Sequence, residues 1–368
     1  MPQNNKMDKP QKLKFPHPAV FIFGAGATMG SLIDTSDIAP PVDNNFFSIA
    51  GRVPSHGTPQ LANRVLKNVW DLYGEVYGVG LERYYSDIET RCRIGKCIKQ
   101  PHKKMDWEKR KADLVELIRR VYVFTTSYLE KNMVMPRLSD AHSNILKYLK
   151  RNDAILTFNY DLLIEESFGE KSIWNPIDGY GFHIPGKTTI WCRKWIEKHR
   201  PKKSSLIELI KLHGSINWAL YKNRAVKFKP KPYFSRMKQN KVHHEKICIL
   251  PPGWDKGFDK NPYKALWEKA HDYLYNCKSL VIIGYSLPET DLTAHALFAE
   301  VVRQRVQQNN RITELHIVDP SKVIQDKFIS LFEPIIKNSG KIYVYNSINE
   351  YAGKGDMKED VAVKEKSN

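Results

Sequence analysis

A histidine follows an apolar run in the middle of the chain, in the stretch Lys211-Leu212-His213-Gly214-Ser215. Histidine exchanges protons near neutral pH more readily than other side chains, so His213 is a candidate general acid or base. The run from Leu206 to Leu212 predicts a buried strand, and Gly214 predicts a break that leaves His213 in an open cleft. A single histidine of this kind more often has a structural role, so the chemical interpretation depends on the other strand ends.

A second apolar run, Ala154 to Phe158, ends in Asn159-Tyr160-Asp161. Asn159 can orient a water molecule or a sugar hydroxyl. Asp161 can cap the following helix or take part in catalysis, and the sequence leaves both roles open. The carboxyl ends of parallel strands form the edge at which open α/β sheets bind ligands.

A glycine-rich turn follows the first apolar run of the chain, Ala19 to Phe23, in the stretch Gly24-Ala25-Gly26-Ala27-Thr28-Met29-Gly30. An unbroken apolar run is typical of a buried parallel strand. Glycines after such a strand let the backbone approach a pyrophosphate at the start of the next helix. The spacing Gly-x-Gly-x-x-x-Gly differs from that of dehydrogenases, so the turn does not favour a plain dehydrogenase.

Two further apolar runs end in residues that suit a nucleotide. The run Ser279 to Ile283 ends in Gly284-Tyr285-Ser286-Leu287-Pro288, where small and hydroxyl-bearing residues suit a phosphate or a ribose. The run Ile312 to Val318 ends at Asp319, whose carboxylate can accept hydrogen bonds from the hydroxyls of an adenosine ribose.

The alternation of strands and helices predicts a doubly wound, Rossmann-like parallel α/β sheet with one nucleotide cleft. A helix from Pro59 and a longer one from Asp106 to Lys131 predict that residues 56–135 form a large helical insertion. We expect a single domain over residues 18–350, with irregular basic insertions at 169–204 and 221–246. Residues 1–17 and 351–368 are predicted to be a disordered arm and tail.

The net charge of +18, from 58 basic and 40 acidic residues, favours an anionic substrate, nucleic acid or another acidic partner. The excess is concentrated in three clusters, at residues 91–111, 193–203 and 222–246. Aromatic residues lie among the cations of the third cluster, and such a mixture can stack bases while it holds phosphates. A solvated loop or a subunit interface explains the clusters equally simply.

The five cysteines predict reduced thiols, since they are odd in number and form no Cys-x-x-Cys pair. They argue against a four-cysteine zinc site. No apolar run approaches the ~20 residues that span a bilayer, and the first residues lack the apolar core of a signal peptide. We therefore expect a cytoplasmic protein without a membrane segment.

Four of the strand ends, in the same order, resemble the motifs of the sirtuin-like superfamily, and more closely those of bacterial sirtuin-like proteins of antiphage defence. The resemblance covers the α/β core from about residue 18 to residue 320, without the insertions. It implies NAD⁺ binding in the cleft, with Asn159 and His213 at the positions of the catalytic pair. The motifs are Gly24-Ala25-Gly26-Ala27-Thr28, Thr157-Phe158-Asn159-Tyr160-Asp161, Lys211-Leu212-His213-Gly214-Ser215 and Gly284-Tyr285-Ser286-Leu287-Pro288.

The chain departs from the sirtuin deacylases after the histidine, where those enzymes carry a four-cysteine zinc module. Between His213 and Gly284 this sequence has only Cys248 and Cys277, which cannot complete that site. The departure favours the zinc-free branch of the superfamily, whose members hydrolyse NAD⁺. The helical insertion resembles those through which defence relatives form homo-oligomers or meet a partner. Some relatives are regulated by an associated ATPase of the HerA type, and the basic insertions would be the docking surface for such a partner.

The resemblance thus implies an NAD⁺ hydrolase that releases nicotinamide and ADP-ribose and depletes cellular NAD⁺. Asn159 would orient water or the nicotinamide ribose, and His213 would act as the general base. A protein deacylase and a non-catalytic subunit that binds nucleotide or nucleic acid remain alternatives. Substrate-binding roles are expected for Gly24, Ala25, Gly26, Ala27, Thr28, Asp43, Asp161, Gly284, Tyr285, Ser286 and Asp319.

Overall fold

The computed structural model describes residues 15–33, 38–53, 59–97, 101–130, 133–168, 173–182, 204–220, 226–228, 246–249 and 262–353. Its strands are β1 (Ala19–Phe23), β2 (Ser127–Glu130), β3 (Met133–Pro136), β4 (Ala154–Thr157), β5 (Glu208–Lys211), β6 (Gly214–Leu220), β7 (Val226–Phe228), β8 (Lys246–Ile249), β9 (Ser279–Ile283), β10 (Ile312–Val318) and β11 (Ile336–Tyr345). Its helices are α1 (Ala25–Leu32), α2 (Phe46–Arg52), α3 (Pro59–Tyr73), α4 (Leu81–Cys97), α5 (Pro101–Thr125), α6 (Asp140–Leu146), α7 (Leu163–Ser167), α8 (Tyr263–Asn276), α9 (Leu292–Gln307), α10 (Lys322–Phe332) and α11 (Ile348–Gly353).

Six parallel strands form the central sheet, in the order β11-β10-β9-β1-β4-β5. The chain winds from β1 through β4 to β5, returns to the other side of β1, and continues through β9 and β10 to β11. This reversal between β1 and β9 makes the sheet doubly wound and confirms the predicted fold class. Ligands of such sheets bind at the carboxyl edge near the reversal, so that edge is where a site is expected.

The strands of the sheet are buried because helices cover it. Every residue of β1 and of β9 is buried, which is the burial that an unbroken apolar run predicts. The Ser139 side chain caps α6 by accepting a hydrogen bond from the backbone N–H of His142.

The helices α2 to α5 form a second apolar core that packs on the sheet domain. Buried residues of these helices share this core with Tyr160 and Leu162, which follow β4, and with Ile216 of β6. The insertion is therefore in direct contact with the segment that follows Asn159.

The long helix of the insertion differs from the prediction at both ends. It begins at Pro101 and ends at Thr125, and the chain then forms the antiparallel hairpin β2–β3 instead of continuing as helix to Lys131. The hydroxyl groups of Thr125 and Thr126 donate to the carbonyls of Val121 and Tyr122. Hydroxyl groups that bond back in this way compete with the helix and favour its end.

The chain turns after β5 and continues as a strand. Gly214 has a φ of +81°, and the strand β6 that it opens pairs with β7 and β8 in a separate three-stranded sheet. The sequence predicted a break at Gly214 but not the strand that follows. This continuation keeps the segment around His213 close to the protein core.

Both ordered ends extend further than predicted. Phe15 is buried against Phe21, with ring centroids 5.2 Å apart, and His17 bonds to Asp153 at 2.9 Å. Tyr351 is fully buried in α11. Aromatic burial thus orders Phe15 to His17 and Tyr351 to Gly353, which the sequence assigned to the disordered arm and tail; the rest of those segments lies outside the described residues.

Most of the two basic insertions also lies outside the described residues. In the part that is described, Trp174 is fully buried and stacks on Phe168 with centroids 5.2 Å apart, so it belongs to the core and does not cover a cleft. Within the described part of the chain, no helix has both the length and the apolar character that crossing a membrane requires.

Candidate active site

The ends of five sheet strands lie side by side. The register pairs Val318 with Ile283, Ile283 with Phe23, Phe23 with Thr157, and Thr157 with Lys211. The segments that follow these residues contain the glycine turn, Asn159, His213, Gly284 and Asp319. The structure therefore brings the predicted strand-end residues to one edge of the sheet.

The two glycine-rich connections cross each other at the reversal between β1 and β9. Gly24 N–H donates to the Ile283 carbonyl at 3.0 Å, and Gly26 N–H donates to the Gly284 carbonyl at 2.9 Å. A methyl group added at Gly24 would lie 2.4 Å from the Gly284 oxygen. One added at Gly284, where φ is +57°, would lie 2.1 Å from the Ala27 nitrogen. Glycine is required at these positions because the two backbones touch.

Some of the backbone N–H groups that we expected to bind a pyrophosphate already donate to protein carbonyls here. The helix α1 begins at Ala25, and the N–H of Ala27 donates to the Gly24 carbonyl at 3.0 Å. With Gly26 also bonded to Gly284, two N–H groups in the first turn of α1 already have protein acceptors. A phosphate at this helix end would bind the remaining groups or displace these bonds.

Asn159 connects the end of β4 to the glycine turn. It is 5% exposed, and its Nδ2 donates to the Gly24 carbonyl at 2.9 Å and to Thr28 Oγ1 at 3.0 Å. Both amide hydrogens are therefore committed to the first connection of the sheet. Its carbonyl oxygen, Oδ1, is the atom through which Asn159 can orient water.

Asp161 extends this network to the next helix. Thr28 Oγ1 donates to Asp161 Oδ2 at 3.0 Å, and Asp161 Oδ1 accepts from the Leu163 N–H at 2.9 Å, at the start of α7. Asp161 thus caps the following helix, which is one of the two roles that the sequence left open. The same carboxylate also holds Thr28, which accepts a hydrogen bond from Asn159.

A buried ion pair contacts Asp161, and the sequence did not predict it. Lys211 Nζ is 2.9 Å from Glu165 Oε1 and donates to the Asp161 carbonyl at 2.5 Å; the two charged side chains are 1% and 0% exposed. Burial raises the pKa of Glu165, and the ammonium of Lys211 opposes that rise. Tyr180 donates to the same Oε1 at 2.9 Å. The sequence did hold one indication of such a pair, because Lys211 lies in an apolar run and a buried lysine needs a partner of opposite charge.

His213 is buried, which corrects the expected open cleft. Its side chain is 2% exposed, and its ring lies edge-on to Phe158 with centroids 5.0 Å apart and stacks on Tyr160 at 6.2 Å. The cleft closes because the chain continues as β6 after Gly214 and because the residues after β4 are aromatic.

Asp291 is the partner of His213 and was not among the predicted site residues. His213 Nε2 lies 3.2 Å from Asp291 Oδ2, and the Asp291 side chain is fully buried. Asp291 is the N-cap of α9, where it accepts from the Ala294 N–H at 3.4 Å, and it also accepts from the Tyr285 hydroxyl at 3.0 Å. Nothing in the local sequence around Asp291 connects it to a residue 78 positions earlier in the chain.

Tyr285 lies between the histidine pair and the core. Its ring stacks on Phe158 with centroids 3.9 Å apart and an interplanar angle of 3°. Burial, and then the carboxylate of Asp291, raise the pKa of Tyr285 well above its ordinary value, so its hydroxyl remains a donor.

Asp43 lies at the junction with the helical insertion. Its Oδ1 accepts from the Glu82 N–H at 2.8 Å near the start of α4, and burial raises its pKa. The Glu82 carboxylate in turn accepts a hydrogen bond from the Thr290 hydroxyl, next to Asp291. The insertion thus contacts the segment that holds the partner of His213.

The remaining predicted residues lie further along the same edge. Ser286 is exposed, and its carbonyl accepts from Lys327 Nζ at 3.2 Å. Asp319 Oδ1 accepts from the Ser321 N–H at 2.9 Å before α10, and burial raises the pKa of Asp319. Ser286 follows β9 and Asp319 follows β10, which are adjacent strands of the sheet.

No group of three or more His, Cys, Asp or Glu side chains among the described residues is arranged to hold a metal ion. Cys92 and Cys277 are buried, and burial raises the pKa of Cys277 to about 11. Cys192 lies outside the described residues, so the zinc-free character of the chain stays a prediction.

One family model matches part of the chain. Residues 153–327 match the family model of a SIR2-like domain. The match begins immediately before β4 and ends in α10, so it includes Asn159, His213 and Asp291 but not the glycine turn.

Solved Sir2 structures are similar to the chain at low identity. A Sir2 homologue in complex with NAD is 14% identical with a TM-score of 0.39, covering 91% of this chain and 86% of the other. A structure of a Sir2 enzyme is 13% identical with a TM-score of 0.35, covering 91% and 88%. A complex of Sir2 with a p53 peptide and NAD⁺ is 13% identical with a TM-score of 0.34, covering 91% and 90%. No curated protein matches the chain.

Proposed function

We propose that this protein is an NAD⁺ hydrolase that cleaves the bond between nicotinamide and ribose and releases nicotinamide and ADP-ribose. The observation that carries the proposal is the arrangement at the carboxyl edge of a SIR2-like domain. Asn159 is hydrogen-bonded to the glycine turn, and His213 follows the adjacent strand and is paired with a buried carboxylate.

The chemistry requires few groups. Nicotinamide leaves without protonation, and the reaction passes through an oxocarbenium-like state that water then attacks. The new bond joins the water oxygen to the ribose carbon, the electron pair of the broken bond leaves with nicotinamide, and one water proton goes to a base. We assign the base to His213 and the orientation of water to Asn159 Oδ1.

The burial of His213 adds a step to this scheme. A base that is 2% exposed contacts substrate only after the aromatic residues Phe158 and Tyr160 move. We therefore propose that the described conformation is closed and that an opening movement precedes NAD⁺ cleavage. Such a step would limit the activity of an enzyme that destroys a central metabolite.

We propose further that the protein is an antiphage-defence effector that depletes NAD⁺ as substrate and needs no zinc. Homo-oligomers would form through the helical insertion, and a HerA-type ATPase would dock on the basic insertions. These statements rest on the resemblance of the strand-end motifs to the defence branch. Light scattering of the purified protein, with and without NAD⁺, tests whether homo-oligomers form.

The basic surface of the insertion favours a protein contact over nucleic acid. Many of its cations are already paired: Lys111 Nζ lies 3.0 Å from Glu89, and Arg119 and Arg120 bond to Glu116 at 2.5 and 2.8 Å. Paired cations add little to phosphate binding, whose strength follows the number of phosphates neutralised. A steep loss of DNA or RNA affinity with rising salt would contradict this preference.

One observation favours a second candidate, a non-catalytic nucleotide-binding subunit. The amide hydrogens of Asn159 are both bonded within the protein and His213 is enclosed, an arrangement that suits a structural network. Such a subunit would bind NAD⁺ or ADP-ribose without turnover.

The deciding experiment incubates purified protein with NAD⁺, with and without an acetylated peptide, and separates the products by chromatography. The proposal predicts nicotinamide and ADP-ribose from NAD⁺ alone, and loss of both in His213→Ala and Asn159→Ala. O-acetyl-ADP-ribose made only with the peptide would identify a deacylase. Bound but unconsumed NAD⁺ would identify the non-catalytic subunit.

A further inference from the structure

His213 and Asp291 form a buried contact between two distant segments of the chain. His213 Nε2 lies 3.2 Å from Asp291 Oδ2, which also accepts a hydrogen bond from the Tyr285 hydroxyl at 3.0 Å, while Asp291 Oδ1 accepts from the backbone at the start of α9. The carboxylate is therefore fixed by three contacts from three parts of the chain. Both side chains of the pair are excluded from water, which makes the charge of Asp291 more effective on the imidazole than at a surface.

We propose that Asp291 is the positioning residue of His213. Its carboxylate accepts the Nε2–H, so the neutral ring carries its proton on Nε2 and Nδ1 is the nitrogen that takes the proton from water. The same carboxylate stabilises the imidazolium that forms at that moment and remains deprotonated itself. The inference deepens the proposed function and rests on His213 being its base.

The role of Tyr285 follows from the same contacts. Its ring is held flat against Phe158, and its hydroxyl donates to the oxygen that faces His213. It thereby fixes the rotation of the Asp291 carboxylate without supplying charge. Tyr285→Phe removes this bond and keeps both the ring and the carboxylate, so it serves as the matched variant for Asp291→Asn.

Several charged or titratable groups surround the pair and enter any pH profile. Tyr160 stacks on the His213 ring, Tyr285 bonds to Asp291, and Glu82 of α4 reaches Thr290 beside them. Burial raises the pKa of both tyrosines well above their ordinary value, so they stay neutral. Asp291 and Glu82 are then the carboxylates that face this region from the described elements.

A purely structural role of Asp291 makes a different prediction. As an N-cap, asparagine serves a helix about as well as aspartate, so Asp291→Asn would leave both fold and activity nearly unchanged. As the positioning residue, Asp291 supplies charge and a fixed acceptor, and asparagine supplies neither. The amide can also donate its own N–H to Nε2, which places the ring proton on Nδ1 and removes the base.

The kinetic test measures NAD⁺ turnover by wild type, Asp291→Asn and Tyr285→Phe over pH 5 to 9. We expect Asp291→Asn to lower kcat about 100-fold or more while KM stays within about twofold. Any residual activity should persist to lower pH, because loss of the carboxylate makes the protonated ring less stable. Tyr285→Phe should lower kcat less than Asp291→Asn does, by about threefold to tenfold, and should not shift the dependence of kcat on pH. Wild-type kcat in a folded Asp291→Asn protein would overturn the inference and leave the proposed function intact.

A second test needs no activity. In protein labelled with ¹⁵N-histidine, the nitrogen shifts of the His213 ring, assigned by comparison with His213→Gln, report which nitrogen carries the proton. We expect Nε2–H in the wild type and loss of that state in Asp291→Asn. An Nδ1–H ring in the wild type would overturn the inference even if NAD⁺ is hydrolysed. An Nε2–H ring in a protein that leaves NAD⁺ intact would uphold the positioning contact and refute the proposed function.

Discussion

Replacing Lys211 with methionine should destabilise the protein strongly and loosen the segment that holds Asn159. Methionine has a similar volume but no charge. The substitution leaves the Glu165 carboxylate, which is fully buried and whose Oε2 has no hydrogen-bond partner among the described residues, without its counter-ion at 2.9 Å. It also removes the donor to the Asp161 carbonyl.

Breaking a buried ion pair on one side costs about 3–5 kcal/mol. With about 2–4 °C per kcal/mol for a domain of this order of size, Lys211→Met should lower Tm by roughly 6–20 °C. Without the ammonium, the pKa of Glu165 rises further, and the side chain takes up a proton at low pH to avoid a buried charge. The folded protein then binds more protons than the unfolded chain, so the loss of stability grows as pH rises above the ordinary pKa of glutamate.

The assay is urea unfolding followed by tryptophan fluorescence at pH 6 and pH 8, with Lys211→Met, Glu165→Gln and the double variant. Removing both charges should recover at least half of the loss, because no buried charge is left without a partner. Single variants that each cost less than about 1 kcal/mol, or a double variant that costs the sum of the two, would refute the reasoning.

Three further predictions concern the fold around the site. Gly284→Ala should cost about 2–4 kcal/mol and weaken NAD⁺ binding, because the added methyl would lie 2.1 Å from a backbone nitrogen at a φ of +57°. The control is Gly30→Ala in α1, whose methyl would lie 3.7 Å from the Ile348 side chain, and it should be neutral or slightly stabilising in the same melts. Arg305→Lys should cost about 3 kcal/mol in urea unfolding, because Nη1 of the buried guanidinium donates to the Leu274 carbonyl at 2.7 Å and Nη2 donates to the Cys277 carbonyl at 3.0 Å, and a single ammonium nitrogen cannot reproduce that fork. Burial lowers the pKa of His142 to about 3, so below pH 6.5 the unfolded chain binds a proton that the native state does not. The free energy of unfolding should therefore fall by about 1.4 kcal/mol for each pH unit below 6.5. His142→Phe should remove this part of the pH dependence, and an unchanged pH dependence would contradict a neutral buried ring.

The sheet could be predicted from the sequence because its strands are buried on both faces. Unbroken apolar runs indicate such strands directly, and the polar or glycine residues after them indicate the edge at which they end. The positions of Asn159, His213 and Gly284 followed from that logic, and the structure places them at one edge. The glycines could be recognised as positions of close backbone contact, but the sequence did not show that they contact each other.

What the sequence could not supply were the partners of these residues. Asp291 looks like an ordinary helix cap, and only the fold brings it within 3.2 Å of His213. Glu165 looks like a surface residue of a short helix until Lys211 is placed beside it. Local patterns report burial and periodicity along the chain, whereas these pairs depend on packing between distant segments. The burial of His213 was missed for the same reason, since its cover comes from Phe158 and Tyr160.

The product analysis of NAD⁺ incubated with the purified full-length chain tests the central claim most directly. The account predicts equal amounts of nicotinamide and ADP-ribose from the wild type, with no acylated peptide present, and neither product from folded His213→Ala. Equal NAD⁺ consumption by the wild type and His213→Ala would contradict the assignment of the base. A wild type that binds NAD⁺ and leaves it intact under every activating condition tried would contradict the proposed hydrolase.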